Sequence, residues 1–219
     1  MKKKNIKFSI AIDGSSASGK TTGSKILSKK FNFKLLSSGK LYRYIAYKII
    51  NNKNRYDKKF IIYQSKNINL NKLRNKRLYS LEVTKLASII AKKKYIRNAL
   101  KQFQINLIKN NKKVIIEGRD IASKIMPKAD LKIFFKCSVK EKVKRRLREY
   151  KKINKKITFN EVKKSLNLRD FSDKNRKESP LLFVKGAVLV DTTKLTIKQM
   201  ELKLVKLVKE KLFNKYGNI

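Results

Sequence analysis

The sequence predicts an α/β fold, a five-stranded parallel sheet with helices on both faces. Three observations predict it. Gly14-Ser15-Ser16-Ala17-Ser18-Gly19-Lys20-Thr21 fits the pattern GxxxxGK[ST] at every fixed position. Short apolar runs of strand length alternate with stretches of helical period along the chain. The 219 residues are 41% hydrophobic, enough for one domain with a sizeable core.

The first strand is Phe8-Ser9-Ile10-Ala11-Ile12, which ends in Asp13. The glycine loop follows, and Thr22-Gly23-Ser24-Lys25-Ile26-Leu27-Ser28 can open a helix. Strand, loop and helix in that order give the motif its meaning. Glycines let the backbone N–H groups turn inward around a phosphate. The helix N-terminus adds unpaired donors and a positive dipole end. Lys20 brings a mobile charge for the β- and γ-phosphates, and the Thr21 hydroxyl is placed to ligate Mg²⁺. A plain strand–turn–helix corner with a chance lysine is the alternative, and the agreement of pattern and context disfavours it.

Lys34-Leu35-Leu36-Ser37 is a second strand, and Ser38-Gly39-Lys40-Leu41-Tyr42-Arg43 opens a helix running on to Ile50. Ser38 and Arg43 make either a second anion site or an N-cap with a solvated arginine; spacing alone leaves both open. Residues 51–70 are polar, rich in Lys and Asn, and read as a connector or insert. From Glu82 the helical period returns. Val83, Leu86, Ala87, Ile90, Ile96, Leu100, Phe103 and Leu107 form a stripe on one long helix or two, with Ser88 and Arg97 outside it.

Val114-Ile115-Ile116-Glu117 is a third strand, followed at once by Gly118-Arg119-Asp120. An acid ending a buried strand beside a P-loop is a candidate for the Mg²⁺ shell, so Glu117 joins Thr21 there. Leu131-Lys132-Ile133-Phe134-Phe135 is a fourth strand. Ser138-Val139-Lys140-Glu141 and Thr158-Phe159-Asn160-Glu161 are capping boxes for two further helices. The first carries Lys144, Arg145, Arg146 and Arg148; the second carries Arg169, Asp170, Asp173 and Arg176. Ala187-Val188-Leu189-Val190-Asp191 is the fifth strand, and Thr196-Ile197-Lys198-Gln199 caps the last helix.

Composition narrows the classes. No apolar run approaches the roughly 20 residues of a membrane span. The basic start, Met1-Lys2-Lys3-Lys4-Asn5, precedes a strand holding Asp13 and is not read as a signal peptide. A lone cysteine, Cys137, excludes an internal disulfide and a cysteine metal cluster and suits a reducing cytoplasm. With no histidine in the chain, no step depends on an imidazole. The formal charge is +44, from 59 Lys+Arg against 15 Asp+Glu. Its lysines are spread over the whole length, and Lys, Asn and Ile share A/T-rich codons. Compositional drift is therefore preferred to a nucleic-acid surface, although non-specific RNA binding would accompany such a charge. No RNP-like aromatic motif supports an RNA-binding NTPase.

Five segments, in order, resemble the bacterial cytidylate kinase family over nearly the whole chain. They are Ile12-Asp13-Gly14 with the P-loop, Ser38-Gly39-Lys40-Leu41-Tyr42-Arg43, Glu117-Gly118-Arg119-Asp120-Ile121, Asp173-Lys174-Asn175-Arg176 and Val190-Asp191-Thr192-Thr193. The resemblance implies transfer of the ATP γ-phosphate to CMP or dCMP with Mg²⁺, on a nucleoside-monophosphate-kinase fold. It implies a single kinase domain over residues 1–219. The core would be 1–50, 82–143 and 177–219, the monophosphate-binding insert about 51–81, and a mobile lid about 144–176. By similarity Gly14, Ser15, Ser16, Ala17, Ser18, Gly19, Lys20, Thr21 and Thr22 hold the ATP phosphates. Arg43, Arg119 and Arg176, with Ser38, resemble the clamp on the CMP phosphate. Ser88, Arg97 and Asp120 resemble the cytosine readers, and Arg169 and Asp173 the ribose contacts. Lys20, Arg119 and Arg176 would be catalytic, with Arg145 and Arg148 reaching the transferring phosphoryl. A monomer is expected.

Some positions depart from the family. Ser15 stands for a usual proline, Ala17 for a usual glycine, Ser37 for an aspartate, and Ala122-Ser123 for Gly-Thr. Thr21 stands where glycine is frequent and restores the general P-loop pattern. The segment between Asn51 and Ser80 is short against the family's extra strands. The rival in the same class is another small-substrate kinase, for UMP/CMP, AMP or shikimate.

Overall fold

The computed structural model describes residues 6–52, 57–151 and 157–217. The expected insert and lid each include residues outside that set, 53–56 and 152–156. Five strands form one sheet in the order β2-β3-β1-β4-β5, where β1 is Phe8–Gly14, β2 Lys34–Ser37, β3 Lys113–Glu117, β4 Leu131–Lys136 and β5 Ala187–Asp191. All five expected strands are present. β1 lies parallel to β3, with Ile12 opposite Glu117, and parallel to β4, with Gly14 opposite Phe135. Central position fits the near-continuous burial of β1.

The chain divides into two compact units, Met1–Leu36 with Lys112–Ile219, and Ser37–Asn111. In the first, α1 (Lys20–Phe31) and α8 (Ile197–Tyr216) cover the sheet. Phe8, Ile10, Ile12, Ile133, Phe135 and Val190 pack against Leu27 of α1 and Met200, Leu204 and Val208 of α8. This contact is so close that a Cβ on Gly23 would lie 2.7 Å from Phe135 and 2.9 Å from Leu204. Glycine at that position lets the P-loop helix sit down on the sheet. Two more helices, α6 (Val139–Lys151) and α7 (Phe159–Asn175), share a small cluster of Val143, Val162 and Leu166.

Thr158 and Thr196 make the expected reciprocal capping boxes with Glu161 and Gln199. The box at Ser138 is only half made. Ser138 Oγ accepts the Glu141 N–H at 3.3 Å, but the Ser138 N–H donates to Thr193 Oγ1 and the Glu141 carboxylate takes Arg145. Competing polar groups nearby outbid the local motif.

The second unit is helical: α2 (Ser38–Asn51), α3 (Lys58–Lys66), α4 (Leu81–Ile90) and α5 (Lys94–Lys109), with two 3₁₀ turns before α4. Helix α2 packs on α4, and α3 on α5. Ser38 is not the N-cap of α2; that position is Ser37, and Ser38 is buried in the first turn. Nor does Arg97 lie outside the buried face. The helix breaks at residues 91–93, which resets the phase, and α5 buries Ile96, Arg97, Leu100, Gln104 and Leu107 together.

Candidate active site

The P-loop joins β1 to α1. Gly14 has φ 150°, and a Cβ there would lie 2.4 Å from the Phe135 carbonyl oxygen. Gly19 has φ 92°. Both positions demand glycine. Ala17 also has positive φ, 55°, where the family's usual glycine would sit without strain. Internal bonds close the loop. Ser18 Oγ donates to the Ser15 carbonyl at 2.9 Å, and Lys20 Nζ donates to the same oxygen at 2.6 Å. Burial holds the Lys20 ammonium well below its ordinary pKa, with Arg119 adding to the shift and Glu117 opposing it. An anion arriving beside Lys20 would favour its charged form.

Thr21 Oγ1 donates to both Glu117 oxygens, at 2.9 and 3.0 Å. The two residues expected to share a metal therefore meet, across 96 positions of sequence. Asp13, at the end of β1, accepts the N–H groups of Ile121 and Ala122 at 2.9 and 2.7 Å. That ties the start of the P-loop to the turn carrying Arg119 and Asp120. Burial pushes its pKa up to about 6 against the pull of those two N–H bonds, with Asp120 adding to the rise.

An arginine–carboxylate cluster lies in the same unit. Arg119 donates from Nε to Asp173 at 2.8 Å and from Nη2 to Ser16 Oγ at 2.9 Å. Arg176 donates to Asp173 at 3.3 Å and to the Ser179 carbonyl at 2.7 Å, and lies 3.9 Å from Asp120. Burial raises the Asp173 pKa, but Arg119, Arg169 and Arg176 outweigh it and hold the carboxyl below its ordinary value. Arg145 donates to the side chain and the carbonyl of Thr192, at 3.0 and 2.7 Å. Thr192 in turn donates to the Ser18 carbonyl at 2.8 Å. Arg148 and Thr22 are exposed.

In the helical unit Arg43 donates to the Leu78 carbonyl at 3.0 Å and to Thr84, and its guanidinium lies 4.9 Å from the Tyr79 ring centre. Arg97 donates to the Ala91 carbonyl at 2.9 Å and lies 5.6 Å from the Tyr42 ring centre. Ser88 is exposed and donates to the Thr84 carbonyl at 3.1 Å.

Such a P-loop, with a threonine meeting a strand-end glutamate, handles nucleoside phosphates, and known proteins agree. The family model described as cytidylate kinase matches residues 10–210. The chain belongs to the cytidylate kinase family. It is 41% identical over 207 residues to cytidylate kinase of Fusobacterium nucleatum, covering 87% of this chain and 92% of that one. To cytidylate kinase of Rickettsia felis it is 36% identical over 206 residues, covering 94% and 93%. The fold is similar to the solved structure of TT1252 from Thermus thermophilus, with TM-score 0.53 and 15% identity over 94% of this chain and 98% of that one.

Three features of this cytidylate kinase family member escaped the sequence reading. Asp170 accepts the Ser16 N–H at 3.0 Å and the Lys142 ammonium, so α7 and α6 reach the P-loop. Thr192 bridges Arg145 to Ser18. Tyr79 and Tyr42 face Arg43 and Arg97 of the helical unit. For Thr192 the Asp191-Thr192-Thr193 segment was a signal; the Lys142–Asp170 pair, 28 residues apart, has none.

Proposed function

We propose that this chain transfers the γ-phosphate of ATP to CMP, giving ADP and CDP, and accepts dCMP in the same way. The observation that carries the reading is the bond from Thr21 to both Glu117 oxygens beside a P-loop closed on Lys20. Thr21 and Glu117 would hold Mg²⁺, and they fit it. Both offer hard oxygen donors, and among the described residues no group of three or more acids, cysteines or histidines forms a full protein cage. That suits an ion which keeps waters and takes phosphate oxygens. When bound, the ion would neutralise charge on the β- and γ-phosphates.

The chain's own residues do the rest by position and charge. CMP has a second phosphate pKa of about 6, so it is largely a dianion at neutral pH and attacks without a general base. A chain without histidine loses nothing by that. Gly14 to Thr22 are proposed to cradle the donor phosphates, and Lys20 to follow the charge as it moves. Arg43, Arg119 and Arg176, with Ser38, take the acceptor phosphate; Arg169 and Asp173 take the ribose. Arg145 and Arg148 lie on α6, within the proposed lid of about 144–176, and act on the transferring phosphoryl. Residues of about 51–81 form the proposed monophosphate insert. The enzyme is proposed to work as a monomer in the cytoplasm, where its single buried Cys137 stays reduced.

Base choice tests the reading. Cytosine offers a donor at N4 and acceptors at N3 and O2, whereas uracil offers O4 and N3–H. Arg97 has only donors, and a carboxylate at Asp120 only acceptors. Each opposed buried group costs about 1–3 kcal/mol, so CMP should exceed UMP by at least roughly 100-fold in kcat/KM. Asp120→Asn should shrink the ratio, because an amide can present N–H₂ to O4. ADP release with CMP, dCMP, UMP and AMP checks it. An unchanged ratio in the mutant removes Asp120 as the reader, and equal turnover of AMP removes the cytidylate reading.

A further inference from the structure

One buried ion pair has no part in the chemistry above. Lys142 of α6 donates to Asp170 Oδ2, and their side chains are only 7% and 11% exposed. Asp170 Oδ1 accepts the Ser16 N–H of the P-loop at 3.0 Å. Ser16 Oγ accepts from Arg119, whose Nε donates to Asp173 one turn further along α7. Helix α7 therefore holds residue 16 at its N–H, directly through Asp170, and at its hydroxyl, indirectly through Asp173 and Arg119. The small cluster of Val143, Val162 and Leu166 that also joins α6 to α7 is apolar.

A carboxylate beside a loop that binds a polyanion repels its ligand unless a cation balances it. Lys142 is that cation. We infer that Lys142 and Asp170 form a positioning latch for the donor loop. Asp170 fixes the P-loop backbone at Ser16, and Lys142 cancels the charge that would otherwise oppose ATP. The pair couples the seating of α6 and α7 to the shape of the donor site. This rests on the P-loop being the ATP site.

The test compares KM for ATP with KM for CMP in paired variants. Lys142→Met should raise KM for ATP by about tenfold or more and change KM for CMP less, because it leaves a buried carboxylate unpaired beside the loop. Lys142→Arg should recover most of that loss. Where the unpaired acid prevents folding, two uncharged pairs decide. Lys142→Met with Asp170→Asn keeps an acceptor for Ser16 and should stay within about threefold of wild type for ATP. Lys142→Met with Asp170→Ala removes the acceptor and should lose about tenfold. Equal KM for ATP in those two pairs, or a Lys142→Met protein with lowered Tm but an unaltered KM for ATP, overturns the latch. A wild type that does not turn over ATP at all removes the kinase reading instead.

Discussion

The two units hold their arginines differently. Around the P-loop the partners include carboxylates: Asp173 for Arg119 and Arg176, and Glu141 for Arg145. In the helical unit Arg43 leans on the Leu78 carbonyl and the Tyr79 face, and Arg97 on the Ala91 carbonyl and the Tyr42 face. Composition underlies the contrast, for Asp57 and Glu82 are the only acids between residues 37 and 111. A carboxylate orients a guanidinium and also cancels its charge. Carbonyls and rings orient it through neutral groups. The first arrangement suits fixed geometry around moving charge; the second suits capture of an anion.

The largest effect should come from the first region. Lys20→Ala removes the buried P-loop lysine and, on the proposed role of that residue, should cost on the order of 10³-fold in kcat/KM. Near-normal ADP release by that variant would mean that the P-loop is not where phosphoryl transfer occurs.

Next comes a direct comparison of one arginine from each region. Arg43→Ala should raise KM for CMP about 10- to 100-fold, leave KM for ATP nearly unchanged, and lower Tm less than Arg176→Ala does, since its bonds to Leu78 and Thr84 are to neutral groups. Arg176→Ala should raise KM for CMP similarly but should lower Tm more, since Asp173 and Asp120 lose a buried cation. Equal Tm losses in the two variants would show that carboxylate partners hold an arginine no more firmly than carbonyl, hydroxyl and ring partners do. Steady-state kinetics with thermal melts of both proteins reads this.

A smaller effect is pH dependence. The Asp173 carboxyl is held below its ordinary value of 3.8 in the fold, so its contribution to stability is fully present above about that pH. It is lost as pH falls through the lower, folded value, because the unfolded chain binds the proton first. Asp173→Asn should therefore lower Tm by a few degrees at neutral pH and flatten the fall of Tm below pH 4. A mutant whose acid limb matches wild type would show that Asp173 is not stabilised by its arginines.

How much of this was legible in advance depended on distance along the chain. The P-loop is local, and its spacing and flanking elements name it. Glu117 was legible because a strand end next to a P-loop is a topological place. Arg97 was misplaced because the break after Ile90 shifts the helical phase, which a continuous stripe cannot reveal. Ser138 misled because Thr193, 55 residues away, competes for its N–H. The Lys142–Asp170 pair is a product of tertiary packing, and nothing in either helix's own sequence announces it.

The smallest predicted effect asks how firmly the P-loop is held. Ala17 sits at φ 55°, a conformation that costs an L-residue roughly 1–2 kcal/mol. Glycine avoids that cost but loses about 0.5–1 kcal/mol through the freer unfolded chain. Ala17→Gly should therefore stabilise the protein by up to about 1.5 kcal/mol, or about 3–6 °C in Tm for a chain of this size. Activity is the sharper readout. The loop is pinned at Ser15 by Lys20 and Ser18, at Ser16 by Asp170, and at Ser18 by Thr192. If those bonds over-determine its shape, kcat/KM should stay within about twofold, because the new freedom at residue 17 has nowhere to go. A gain in Tm joined to a tenfold loss of kcat/KM would mean that the strain at Ala17, and not the surrounding bonds, keeps the donor loop in shape.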